Sequence, residues 1–194
     1  MKKRPNYVVW GLVAVAVLLV LWFVGAYNGL VRSDETVNER WANVETQYQR
    51  RADLIPNLVA TVRQYTDYEG ELLRDVTEAR SAWTQALSGP IDERVAAAQN
   101  MDSAIARLLV TVEAYPNLRA NENYLNLQDE LAGTENRVSY ARQEFNAAVR
   151  DFNTKVRRFP SNVVANMFGF ERKTPFEAQE GAENAPDVGE LFNA

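Results

Sequence analysis

Two hydrophobic patterns divide this chain. The first is continuous. No charged side chain lies between Arg4 and Arg32, and Val8 to Ala26 reads VVWGLVAVAVLLVLWFVGA. At ~1.5 Å per residue such a run is long enough for ~30 Å of hydrocarbon. Tyr7 and Trp10 mark one end and Trp22, Phe23 and Tyr27 the other, where aromatic rings anchor a span at its interfaces. The second pattern is periodic. From Val37 the apolar positions alternate in steps of three and four: Trp41, Val44, Tyr48, Arg51, Ile55, Leu58, Val62, Tyr65, Glu69, Leu72, Val76, Ala79, Trp83, Ala86. Only Arg51 and Glu69 break it. This spacing predicts helices packed along a coiled-coil-like seam, and a single unbroken helix over it would be a rod of roughly 75 Å. Pro56 lacks an amide donor and disfavours helix at Ile55, so a kink or brief interruption is expected there.

Ser88-Gly89-Pro90 closes that element, and a second helix is expected from about Ile91 to Glu113, with Val95, Ala98, Ile105, Leu109 and Val112 on one face. Tyr115-Pro116-Asn117 interrupts. A third helix, about Asn121 to Arg158, turns Tyr124, Leu127, Leu131, Val138, Phe145, Val149, Phe152 and Val156 inward. Phe159-Pro160 stops it, with Ser161 expected to cap the start of a short helix and Gly169 its end. The predicted fold is all-α: a single transmembrane helix followed by an antiparallel bundle of long helices with coiled-coil-like packing. The divisions are a basic segment at 1–7, the span at 8–27, the bundle at 28–172 and an acidic disordered tail at 173–194.

Charge refines this picture. The formal net charge of −5 matches five uncompensated acids on the tail (Glu177, Glu180, Glu183, Asp187, Glu190), leaving the bundle near neutrality and giving nucleic-acid binding no cationic face. Lys2, Lys3 and Arg4 outnumber Arg32 and Arg40 on the other flank of the span. By the positive-inside rule the N-terminus is then cytoplasmic and the bundle lies on the outer side of the membrane. The same segment could be a signal peptide cut after Val24-Gly25-Ala26, but its length and terminal aromatics favour an uncleaved anchor.

The chain has no Cys and no His, which removes thiolate nucleophiles, disulfides, Ser-His triads and imidazole metal ligands. No nucleophile–base pair is visible, and the expectation is a protein that is not an enzyme and has no cofactor. Glu113 and Glu135 could only form an oxygen-ligand cation site, without the spacing of a known binding loop, and no metal is expected. The expected partners are the lipid bilayer and either another protein or a second copy of the chain.

Arg50-Arg51-Ala52-Asp53-Leu54-Ile55-Pro56-Asn57-Leu58-Val59 resembles the core motif of the LemA family of bacterial membrane proteins. Glu113-Ala114-Tyr115-Pro116-Asn117-Leu118, Asn121-Glu122-Asn123, Glu135-Asn136-Arg137, Phe145-Asn146 and Phe159-Pro160-Ser161-Asn162 agree in order, as do Tyr27 to Val31 and Phe168-Gly169-Phe170. The resemblance implies an anchored helical bundle. It supplies no activity, although one branch is associated with magnetosome membranes and other members lie beside protease genes, which suggests a regulatory or adaptor subunit as the alternative to a scaffold. On the motifs, the structural or interaction candidates are Arg51, Asp53, Pro56, Asn57, Glu113, Tyr115, Pro116, Asn121, Glu135 and Pro160. Arg51 stands at a core position, so it must be paired, and Glu69, Glu113 and Glu135 are the expected partners for a register-fixing ion pair. Trp41 and Trp83 are expected as core fillers.

Overall fold

A computed structural model describes residues 7–65 and 69–176. Lys2, Lys3, Arg4 and the acidic stretch from Glu177 lie outside the described residues. Helix α1 runs unbroken over Tyr7–Arg63, about 85 Å at 1.5 Å per residue. It is followed by α2 (Gly70–Ala86), α3 (Ile91–Val112), the single turn α4 (Pro116–Arg119), α5 (Glu122–Arg157) and α6 (Ser161–Phe168). No strand occurs among the described residues. α1 and α5 form an antiparallel spine, the α2–α3 hairpin packs on α1, and α6 wedges against α1 and α5 at the base.

α1 changes character along its length. Tyr7 to Trp22 is exposed on every side, and α1 is the one helix among the described residues long and apolar enough to cross a membrane by length and composition. From Leu30 onward one face is buried: Ser33, Val37, Trp41, Val44, Tyr48, Arg51, Ile55, Leu58 and Val62 lie along it. The largest fully buried side chains are Trp83, Tyr48, Phe145 and Phe152, and side chains of this size contribute about 1.5–3 kcal/mol each on burial. Trp41 and Trp83 sit in this core, with ring centres 6.5 Å apart.

The break in the long stripe falls beyond Arg63 and not at Pro56. α2 turns back antiparallel to α1, setting Trp83 against Tyr48 at 5.2 Å, so the stripe folds into a hairpin and is not one unbroken helix. The sequence there is rich in weak helix formers, Tyr65, Thr66, Asp67 and Tyr68, ahead of Gly70. Pro56 is tolerated because its cost is met from outside the helix. A proline at 56 leaves the Ala52 carbonyl without its usual amide partner, and Arg80 Nε on α2 donates to that oxygen at 2.9 Å. The hairpin also shifts the buried face of α2: Leu73 is buried where Leu72 was expected, and Ala79 and Ala86 are only half-buried.

Two further expectations are corrected. Ser161 does not cap α6; it is the first helical residue, and its hydroxyl donates to the carbonyls of Lys155 and Arg158 (2.6 and 2.8 Å), tying α6 to the end of α5. Gly169 does end α6, in the left-handed region at φ 72°, with Phe170 N donating to Ala165 O at 2.9 Å.

The second correction concerns the tail, which does not begin at Lys173. Residues 171–176 form a strap docked on α5. Asn153 donates to the Lys173 carbonyl and accepts from its amide (2.8 and 2.9 Å), and Asn146 does the same for Phe176 (3.0 and 2.9 Å). The match is metric: seven helical residues rise ~10.5 Å, and three extended residues span ~10 Å. Lys173 also pairs with Asp34 at 2.8 Å. Two amide clamps and one buried phenyl ring order a segment whose composition alone argues for disorder.

Candidate functional site: a charged cluster in the bundle core

Midway along the spine, four charged side chains meet in the core. Arg51 of α1 pairs through its two terminal nitrogens with Asp102 of α3 and Glu135 of α5. Arg142, two turns further along α5, pairs with the second Asp102 oxygen and also donates to the Tyr48 hydroxyl. Tyr48 in turn donates to Asp102 at 2.7 Å. Asp102 therefore receives two guanidiniums and a phenol from two other helices. The side chains of Arg51 and Asp102 are only 5% and 9% exposed, whereas that of Glu135 is 57% exposed. The Arg51–Asp102 pair is thus the desolvated one, and Glu135 is its solvated rim.

Phe176 closes the cluster. Its ring lies parallel to Tyr48 and Trp41 at 6.2 and 6.1 Å and edge-on to Phe145 at 5.8 Å, with the Arg142 guanidinium 4.7 Å from its centre. Burial pushes the Asp102 carboxyl up to about 8, Glu135 adding to the rise. Burial also lowers Arg142, to about 10. The formal charges cancel in pairs. Removing either desolvated member, Arg51 or Asp102, would leave the other short of a partner, a loss of about 3–5 kcal/mol, whereas a well-packed apolar replacement of the pair would cost little. The cluster therefore links α1, α3 and α5 through paired charges.

The other sequence candidates lie elsewhere. Asp53, Pro56 and Asn57 are exposed on α1; Asp53 accepts from Gln49 at 2.9 Å and lines an open groove with Arg50, Asp129, Glu130 and Arg137. At the distal end, Tyr115 donates to Glu69 at 2.9 Å and Asn121 donates to Tyr65 at 2.8 Å, tying the turn after α3 to the ends of α1 and α2. Asn121 also caps α5 by accepting from Tyr124 N at 3.0 Å, Pro116 starts α4, and Glu113 is exposed at the end of α3. Of the three expected partners for Arg51, only Glu135 meets it. Pro160 stands exposed between α5 and α6.

Asp102, Arg142 and Tyr48's hydroxyl were not singled out by the sequence, although the signal is present. Asp102 fills the gap between Ala98 and Ile105 in the α3 stripe, and Glu135 and Arg142 fill the two gaps around Val138 in α5. Polar residues at vacant stripe positions on three helices are the mark of a shared buried network.

Fold and cluster together define a class: an all-α bundle whose longest helix extends into a membrane-length apolar segment, with a balanced ionic layer across its core. The chain belongs to the LemA family, whose model matches residues 40–189. Among curated relatives, it is 24% identical over 212 residues to magnetosome protein MamQ 2 of Paramagnetospirillum magneticum, covering 95% of this chain and 78% of that one. It is 23% identical over 209 residues to magnetosome protein MamQ of Magnetospirillum gryphiswaldense (93% and 77%), and 24% identical over 174 residues to protein LemA of Metamycoplasma hominis (88% and 78%).

Proposed function

We propose that this protein is a non-enzymatic scaffold of the bacterial cytoplasmic membrane, held by a single pass, with its N-terminus in the cytoplasm and its bundle on the outer side. The observation that carries this reading is the continuity of α1. The same helix supplies the membrane-length apolar segment and a central element of the bundle core, from Leu30 to Val62, without a break at the junction. A bundle joined in this way is held at a fixed height and angle over the bilayer, as a scaffold needs, whereas a flexible linker would let it tumble. The charged cluster supports the same reading, because its charges face one another under Phe176 and serve the register of the helices. Similarity to proteins named for the magnetosome supports a working place at a membrane.

Alkaline carbonate extraction and mild-detergent purification of the full-length chain test the proposal. The chain is expected to stay with the membrane and to elute with a protein partner or as a multimer. Release by carbonate contradicts the anchor. Elution as a lone monomer contradicts the scaffold, and stoichiometric recovery of a membrane protease would turn the reading into that of an adaptor. A reporter fused after Ala194 and active only in the cytoplasm would reverse the orientation.

A further inference from the structure

A second group of arginines lies at the base of the bundle. Arg150, Arg157, Arg158 and Arg172 line an open groove of about 560 Å³ between α5 and the strap, with Asn153 and Thr154 between them. All four are exposed, and among the described residues none pairs with a carboxylate. Four like charges around one groove repel one another, and an anion placed there gains from all of them. Guanidiniums are also the side chains best matched to phosphate oxygens, through paired N–H donors.

The height of the groove identifies the anion. Arg40–Glu144, Trp41–Phe145 and Arg51–Glu135 fix the antiparallel register of the spine. Carried along α5, that register sets Arg157 and Arg158 level with Asn28 and Gly29, just past the apolar run that ends at Ala26. Arg150 lies only ~10 Å further out. α6 occupies the same level: Phe168 packs on Tyr27 at 4.6 Å and on Phe23 at 5.9 Å. This helix buries Val164 and Ala165 against the bundle yet bares Val163, Met167 and Phe168, with Phe159 beside them 77% exposed. Apolar on both sides, it has one side for protein and one for hydrocarbon.

We propose that the arginine groove binds the phosphate headgroup of an anionic phospholipid in the leaflet next to the bundle, with α6 and Phe159 dipped into the acyl region beside it. The inference rests on the single-pass reading above and adds a ligand class to it. A zwitterionic headgroup brings its own ammonium toward four guanidiniums, so the groove discriminates by charge as well as by fit.

The test uses the full-length chain in nanodiscs of phosphatidylcholine containing a minority of phosphatidylglycerol, with spin-labelled forms of each lipid reporting which one the protein immobilises. Phosphatidylglycerol is expected to be preferred by about tenfold or more, since each basic side chain near a charged surface contributes about fivefold. The variant Arg157→Gln/Arg158→Gln/Arg172→Gln is expected to bring the ratio close to unity with its thermal midpoint unchanged. Equal immobilisation of both lipids by the native chain, or a preference that survives in the variant, overturns the proposal. Titration of inorganic phosphate onto the chain in phosphatidylcholine alone separates the lipid from a free anion: arginine-dependent phosphate binding without any phosphatidylglycerol preference also overturns it. A chain that fails to stay with either nanodisc defeats the anchor and the groove together, whereas an inserted chain without selectivity defeats the groove alone.

Discussion

Arg51 and Arg142 pair with two carboxylates in the bundle; among the described residues, Arg150, Arg157, Arg158 and Arg172 at the base pair with none. The first set is closed off by an aromatic ring and linked by hydrogen bonds to three helices. The second stands in an open groove. Their energetics differ accordingly. In the core Arg51 and Asp102 have been taken from water, so the pairing between them weighs heavily on the stability of the fold. At the base each charge keeps its hydration, contributes little to folding and is available to something outside the chain. One residue type is thus paired and enclosed in one place and exposed in an open groove in another, and the difference is read from burial and pairing rather than from residue identity.

Mutations that separate the two sets give the sharpest contrasts. The largest expected effect is at Arg51: Arg51→Ala should cost about 3–5 kcal/mol by leaving Asp102 short of a partner. For a bundle of this size that is a fall in thermal midpoint of roughly 6–20 °C, checked by circular dichroism of the full-length chain in detergent. Phe176→Ala should follow at about 3 kcal/mol, because it removes a buried ring from between Trp41, Tyr48 and Arg142. An unchanged midpoint there would mean that the strap does not hold the cluster closed.

Arg80→Ala should cost about 1–2 kcal/mol by orphaning the Ala52 carbonyl, and this loss should shrink by about half or more in a Pro56→Ala background. There the restored amide bonds the same oxygen. Equal losses in both backgrounds would contradict the compensation. The smallest effect on stability is expected at the base, where Arg157→Gln/Arg158→Gln should stay within ~0.5 kcal/mol of the parent in denaturant unfolding.

Sequence reasoning reached these features unevenly, for physical reasons. Arg51 was legible because a charge at a stripe position of an otherwise apolar helix face must be buried. Asp102 and Arg142 obey the same logic but sit in stripes with other small or polar gaps, so the pattern was weaker. The hairpin was not located because heptad spacing continues across Arg63 to Gly70 and carries no information on where a helix turns back. Arg80 was invisible: its role exists only once α2 lies against the carbonyl that Pro56 leaves free. The strap was also invisible, since it rests on Asn146 and Asn153 being spaced on α5 to match an extended segment of three residues. Local periodicity reports which face is inside, and only the tertiary arrangement reports which backbone groups need a partner.

The central claim is that the core charges are held by one another. Its most direct test is the coupling energy between Arg51→Met and Asp102→Leu, from equilibrium unfolding of the two single variants and the double variant of the full-length chain. Mutual compensation predicts that each single change costs about 3 kcal/mol or more and that the double variant loses at least 2 kcal/mol less than their sum. Strictly additive losses would contradict it, because each residue would then be acting independently of the other.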